Sequence, residues 1–138
     1  MLHNPEVSLI QVAKIIGVAD DDLHNRNILS ATFKAMGMQV LEAESGNKAY
    51  ELILAGHVDL IVSDIRMAEG TGVELLRRMR RLEAERGSAP PVIIMTALLD
   101  GGDRYLRALG AKDVLMKPLD LDVVVTAANK AMGLSERP

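Results

Sequence analysis

No cysteine occurs among the 138 residues, which excludes a disulfide framework and any thiolate metal centre and is compatible with a reducing compartment. Cytosol is therefore the expected location. No apolar run approaches the roughly 18 residues that a membrane span needs; the longest is "VIIMTALL" at 92–99. The opening "MLHNPEVSLIQ" has no basic stretch followed by an apolar one, so no leader is expected. No charge sign dominates either, because 16 basic and 19 acidic residues leave a net charge of −3. That balance argues against a broad electrostatic footprint for nucleic acid or for an anionic membrane. The one basic cluster, Arg77, Arg78, Arg80 and Arg81, is surrounded by Glu74, Glu83 and Glu85 and reads as a solvated helix face.

What remains is a chain of ordinary single-domain size, 49% hydrophobic, long enough to bury one core. Five short runs rich in Val and Ile predict strands at 14–19, 38–43, 58–63, 92–95 and 113–116. Four are nearly continuous in apolar character, as strands covered on both faces are, whereas "MQVLEA" at 38–43 is mixed and suits an edge. Helical spacing lies between the runs. Ile28, Leu29, Thr32, Phe33 and Met36 share one face, with Gly37 placed to end that helix in a left-handed cap. Ala49, Leu52 and Ile53 mark a second helix. Leu75, Leu76, Met79 and Leu82 mark a third, opened by the capping-box pattern "TGVE" at 71–74 and stopped by "GSAPP". Residues 103–110 form a fourth, and Val124, Ala127, Ala128 and Ala131 a fifth. Most of the eight methionines fall at core spacing and read as packing. Five β-α repeats predict an α/β fold, a parallel sheet with helices on both faces joined by right-handed crossovers.

Ligands of such sheets bind beyond the carboxyl ends of the strands. There the sequence delivers polar groups: Asp20, Asp21 and Asp22 after the first strand, Asp64 after the third, Thr96 after the fourth and Lys117 after the fifth. Singly, each has an ordinary reading as a cap, a turn former or a solvated tip. Together they form a coherent set, because carboxylate oxygens suit Mg²⁺, an aspartate can attack phosphorus, and a hydroxyl with an ammonium can neutralise phosphoryl oxygens. His24 stands close to the acids, but at a helix start it is expected to face solvent.

"VADDDLHNRNIL", "VSDIRMAEGTGVELL", "IIMTA" and "GAKDVLMKPLD" resemble, in order and spacing, the signature regions of the receiver domain of two-component response regulators. The resemblance covers about residues 14–132. It implies a doubly wound (βα)5 fold with a flavodoxin-like strand order 2-1-3-4-5, and a receiver at 13–133 between an N-terminal extension, 1–12, and a tail or linker start, 134–138. Aligning Asn25 and Arg26 makes Asp20 and Asp21 the acidic pair. Asp64 then matches the phosphorylated aspartate, Thr96 the switch hydroxyl, and Lys117 the phosphate-contacting lysine before Pro118, whose X-Pro bond is often cis in the family. The metal, Mg²⁺ or Mn²⁺, would be held by Asp20, Asp21, Asp64 and the backbone carbonyl of Arg66. The implied function is a phosphoacceptor switch rather than an enzyme. A histidine kinase or phosphotransfer protein would be the donor and an unknown protein the target, with no direct contact to nucleic acid or membrane. A homodimer formed on phosphorylation is compatible.

The chain departs from the family pattern in places. Ala68 replaces a usual proline, and Val114 stands where the family commonly carries the Tyr or Phe that swings inward on activation. With Val114 the conformational signal is expected to travel through the loop after Thr96 or the helix behind Gly101 and Gly102. Arg66 and Leu98 occupy positions that tune acyl-phosphate hydrolysis, and an apolar Leu98 predicts a long-lived phosphoryl state. Two other readings stay open: a haloacid-dehalogenase-like phosphatase using the spacing Asp20-x-Asp22, which lacks a further acidic pair behind Lys117, and a receiver-like module that binds partners without phosphorylation. "GLSERP" reads equally as a terminus or as the start of a linker to an output domain.

Overall fold

The computed structural model describes residues 13–97 and 102–134. Five strands, β1 (Ile15–Ala19), β2 (Gln39–Ala43), β3 (Leu60–Asp64), β4 (Val92–Thr96) and β5 (Asp113–Met116), form one sheet in the order β2-β1-β3-β4-β5. Every neighbouring pair is parallel. Five helices alternate with them: α1 (Leu23–Ala35), α2 (Gly46–Ala55), α3 (Gly72–Arg86), α4 (Gly102–Ala108) and α5 (Leu121–Ala131). The α/β class and strand order expected from sequence are those observed, and β2, the mixed run, lies at an edge.

Alternation along each strand divides the core into two layers. Ile16, Val18, Leu60, Val62, Ile93, Met95 and Leu115 face α1 and α5, where Leu29, Phe33, Val124, Ala127 and Ala128 meet them. Ile61, Val92, Ile94 and Val114 face the opposite way, toward Ala49 and Ile53 of α2, Leu75, Leu76, Met79 and Leu82 of α3, and Leu106 of α4. β3 and β4 are buried throughout, as central strands covered on both faces should be. At the amino end of the sheet, Asp59 accepts a hydrogen bond from the Ile15 N–H at 2.8 Å, so β3 begins after this residue rather than at Val58.

Local caps set where the helices begin. Asp22 accepts from the Asn25 N–H, Ser45 from the Lys48 N–H, Thr71 from the Glu74 N–H, and Asp120 from the N–H groups of Asp122 and Val123. Gly37 and Gly87 follow α1 and α3 with φ of 84° and 85°, the left-handed conformation that ends a helix. The start of α2 is satisfied differently. The Gly46 N–H donates to the Gly70 carbonyl at 2.9 Å and the Asn47 N–H to the Glu69 carbonyl at 3.2 Å, so the loop after β3 fills donors that the helix cannot. This approach has no room for a side chain, because a Cβ on Gly46 would overlap the Gly70 carbonyl.

Gly46→Ala is therefore expected to lower stability by about 2 kcal/mol, within the range for forced overpacking. Gly56→Ala, at an extended backbone position with open space around it, is expected to change stability by less than about 0.5 kcal/mol. Urea unfolding of the two variants measures the contrast, and equal midpoints would refute the packing account.

Candidate functional site

The strand order makes the site. β1 and β3 are neighbours although β2 separates them in sequence, and Ala19 pairs with Ser63. The residues that follow these two, Asp20 and Asp64, therefore stand side by side where the crossovers diverge, the place where such sheets bind ligands. Asp64 is the last residue of β3 and pairs with Met95, and Thr96 ends β4. Polar groups are buried here in an apolar sheet, among them Asp20 and Thr96, both 0% exposed, and Asp64, 8% exposed.

Asp20 is held tightly, yet one of its oxygens has nothing to bind. Its N–H donates to the Ala43 carbonyl at 3.0 Å, and its Oδ1 accepts the Asp22 N–H at 2.9 Å. Oδ2 is buried without a hydrogen-bond partner. A carboxylate oxygen from each of Asp20, Asp21 and Asp64 lies within 4.8 Å of the others. Asp22 is outside this group; it caps α1, accepting the Asn25 N–H at 3.1 Å. His24 is exposed and does not belong to the group either.

Asp64 Oδ1 accepts the Ile65 N–H at 2.8 Å, and Oδ2 lies 3.1 Å from Lys117 Nζ. Lys117 is placed by its own backbone, whose N–H donates to the Thr96 carbonyl at 2.8 Å, and its peptide bond to Pro118 is cis. Asp64, Ile65, Arg66, Thr96, Ala97 and Lys117 line a cavity of about 200 Å³. Val114 is buried on β5, and Gly102 begins α4; Leu98 and Gly101 lie outside the described residues.

Burial pushes the Asp20 carboxyl above its ordinary 3.8; the Asp22 N–H and Lys117 oppose the shift, while the charges of Asp64 and Asp21 add to it. Three carboxylates against one ammonium, with an orphaned buried oxygen, are the donor set of a hard divalent cation such as Mg²⁺ or Mn²⁺.

Residues 16–129 match the family model of the response regulator receiver domain. The chain belongs to this family. This receiver domain is thus a signalling domain of two-component systems. It is 37% identical over 126 residues to the transcriptional regulatory protein ZraR of Klebsiella oxytoca, covering 88% of this chain and 27% of that protein. The chain thus spans about a quarter of the length of such relatives. Among solved structures, the receiver domain of the Francisella response regulator 1452 matches with a TM-score of 0.80 and 28% identity, over 87% of this chain and 97% of that one. The receiver domain of Ssk1 from Saccharomyces cerevisiae, solved with the histidine phosphotransfer protein Ypd1, shares the fold, with a TM-score of 0.82 at 19% identity over 88% of this chain and 90% of that chain. Among the described residues no helix is long and apolar enough to cross a membrane.

Arg26, to which sequence alone assigns no role beyond alignment, touches the site. Its NH1 donates to the Asp20 carbonyl at 2.8 Å and its Nε lies 3.2 Å from Glu42 Oε1.

The raised Asp20 carboxyl has a thermodynamic consequence. Between 3.8 and its raised folded value the native state binds the proton more tightly than the unfolded chain, so stability falls as pH rises through that window and stays lower above it. In chelator, Asp20→Asn is therefore expected to melt above the wild type at neutral pH and to lose less stability as pH rises from 3.8. A variant that melts below the wild type at neutral pH would contradict this.

Proposed function

We propose that Asp64 is the phosphoacceptor of a cytoplasmic switch, with a histidine kinase or histidine phosphotransfer protein as donor. The observation that carries the reading is the placing of one nearly buried carboxylate, Asp64, on a cavity shared with Thr96 and Lys117, beside the pair Asp20 and Asp21. A carboxylate oxygen of Asp64 attacks phosphorus as the bond from phosphorus to the donor histidine nitrogen breaks, and the electron pair leaves on the imidazole. Lys117, which neutralises Asp64 at 3.1 Å in the free site, turns to the phosphoryl oxygens, and the Thr96 hydroxyl hydrogen-bonds to another. Asp20, Asp21, Asp64 and the Arg66 carbonyl would hold Mg²⁺. When bound, the ion offsets the repulsion between these carboxylates and the incoming phosphoryl group. The chain supplies positioning and charge for its own modification and for slow hydrolysis, and it has no substrate to turn over.

Residues 13–133 act as the unit and the segments on either side as extensions. Phosphorylation adds about −1.5 to −2 charge at the strand ends and biases a partner-binding surface. With Val114 buried in place of an aromatic, the change travels through the loop after Thr96 to α4. The expectation of no direct contact with nucleic acid rests on net charge alone. ZraR is by name a transcriptional regulator of which the chain spans 27%, so a DNA-directed output is compatible with this switch.

Incubation with acetyl phosphate and Mg²⁺ is expected to add one phosphoryl group, lost in chelator and in Asp64→Asn, and to shift amide resonances between residues 97 and 118. Label on Asp20, or sustained release of phosphate from esters, would point to the phosphatase alternative. Unmoved resonances after full modification would remove the proposed route to α4.

A further inference from the structure

We infer that Arg26 is a positioning residue for the divalent-cation site, fixing through the Asp20 backbone the direction in which the free Asp20 Oδ2 points; the inference rests on the Mg²⁺ reading above. Asp20 offers four hydrogen-bonding groups, and three of them are occupied. The N–H is taken by the Ala43 carbonyl, the carbonyl by Arg26, and Oδ1 by the Asp22 N–H. Only Oδ2 remains, buried and unpartnered. A carboxylate restrained on three sides presents its fourth in one direction, which is how partners of metal ligands raise affinity.

Arg26 is suited to this task by its fork. One nitrogen reaches the end of β1 at Asp20 and another reaches Glu42 near the end of β2, whose neighbour Ala43 takes the Asp20 N–H. The first turn of α1 and the carboxyl ends of two strands are thereby tied at one point. The Arg26 side chain is 14% exposed and its bond to the Asp20 carbonyl is partly buried, whereas Glu42, at 36%, meets it from the surface. Lysine, with a single ammonium, cannot span both partners in this way.

The sign of the charge makes the inference decidable. A guanidinium near a cation site repels the cation, and Glu42 offsets that charge. If Arg26 acted only through its field, removing it would tighten Mg²⁺ binding, and neutralising Glu42 would weaken it. Positioning predicts the reverse for Arg26 and almost nothing for a neutral Glu42 replacement that still accepts the Arg26 Nε–H.

The experiment is a calorimetric titration with Mg²⁺ of the wild type, Arg26→Met, Glu42→Gln, Glu42→Ala and Asp20→Asn, at a temperature where each is fully folded. Amide spectra of the metal-free proteins accompany it. We expect Arg26→Met to weaken Mg²⁺ binding about tenfold and to shift the metal-free resonances of Asp20, Asp21 and Asp22. Glu42→Gln should keep the wild-type affinity, and Glu42→Ala should weaken it in the same direction as Arg26→Met, which keeps the test intact if Arg26→Met does not fold. Unchanged or tighter binding by the Arg26 and Glu42→Ala variants would overturn the positioning role while leaving the site itself standing. If instead the wild type binds no Mg²⁺, or Asp20→Asn binds as well as the wild type, the cation reading fails and this inference falls with it.

Discussion

Everything at the carboxyl edge of this sheet depends on crowded negative charge. Oxygens of Asp20, Asp21 and Asp64 lie within 4.8 Å of one another, and within that group Asp20 and Asp64 are buried. Like charges this close repel, and among the described residues the Lys117 ammonium is paired with Asp64 rather than with Asp20. The rest of the fold holds these like charges together. Buried β3 and β4 supply a stiff floor, and caps and backbone hydrogen bonds supply the direction of each side chain. That repulsion is what the proposed divalent ion would relieve.

Much of this was legible from residue order. Apolar runs spaced by helical faces gave the β-α alternation, and polar residues at the ends of those runs marked one edge of the sheet. Asp22 was legible too, since an Asp before a helical pattern is a cap, and it is the cap of α1. Boundaries were less so. The third strand was expected to stop before Asp64, yet Asp64 remains in the ladder opposite Met95. Its start moved as well, because Asp59 turns its carboxylate onto the Ile15 N–H. A polar residue reads as an end of a strand, but a central strand continues as long as its backbone groups find partners.

Contacts through space carried no signal of this kind. Arg26 and Glu42 are 16 residues apart on different elements, with no periodicity to link them. Gly46 and Gly70 look like ordinary loop glycines, and only the approach of the two segments shows why a side chain is excluded. Both contacts act on the site indirectly, one by restraining Asp20 and the other by tying the loop after Asp64 to α2. Residues that touch the chemistry were visible as residue types, whereas residues that hold them in place were visible only in the fold.

The most direct test of the central claim is the melting temperature of the metal-free protein as MgCl₂ is added, set against NaCl at matched ionic strength. If the three carboxylates form a cation site, stability rises with the logarithm of the Mg²⁺ concentration, approaching about 1.4 kcal/mol for each tenfold increase above the dissociation constant, and NaCl does not reproduce the rise. Identical curves in the two salts would contradict the account.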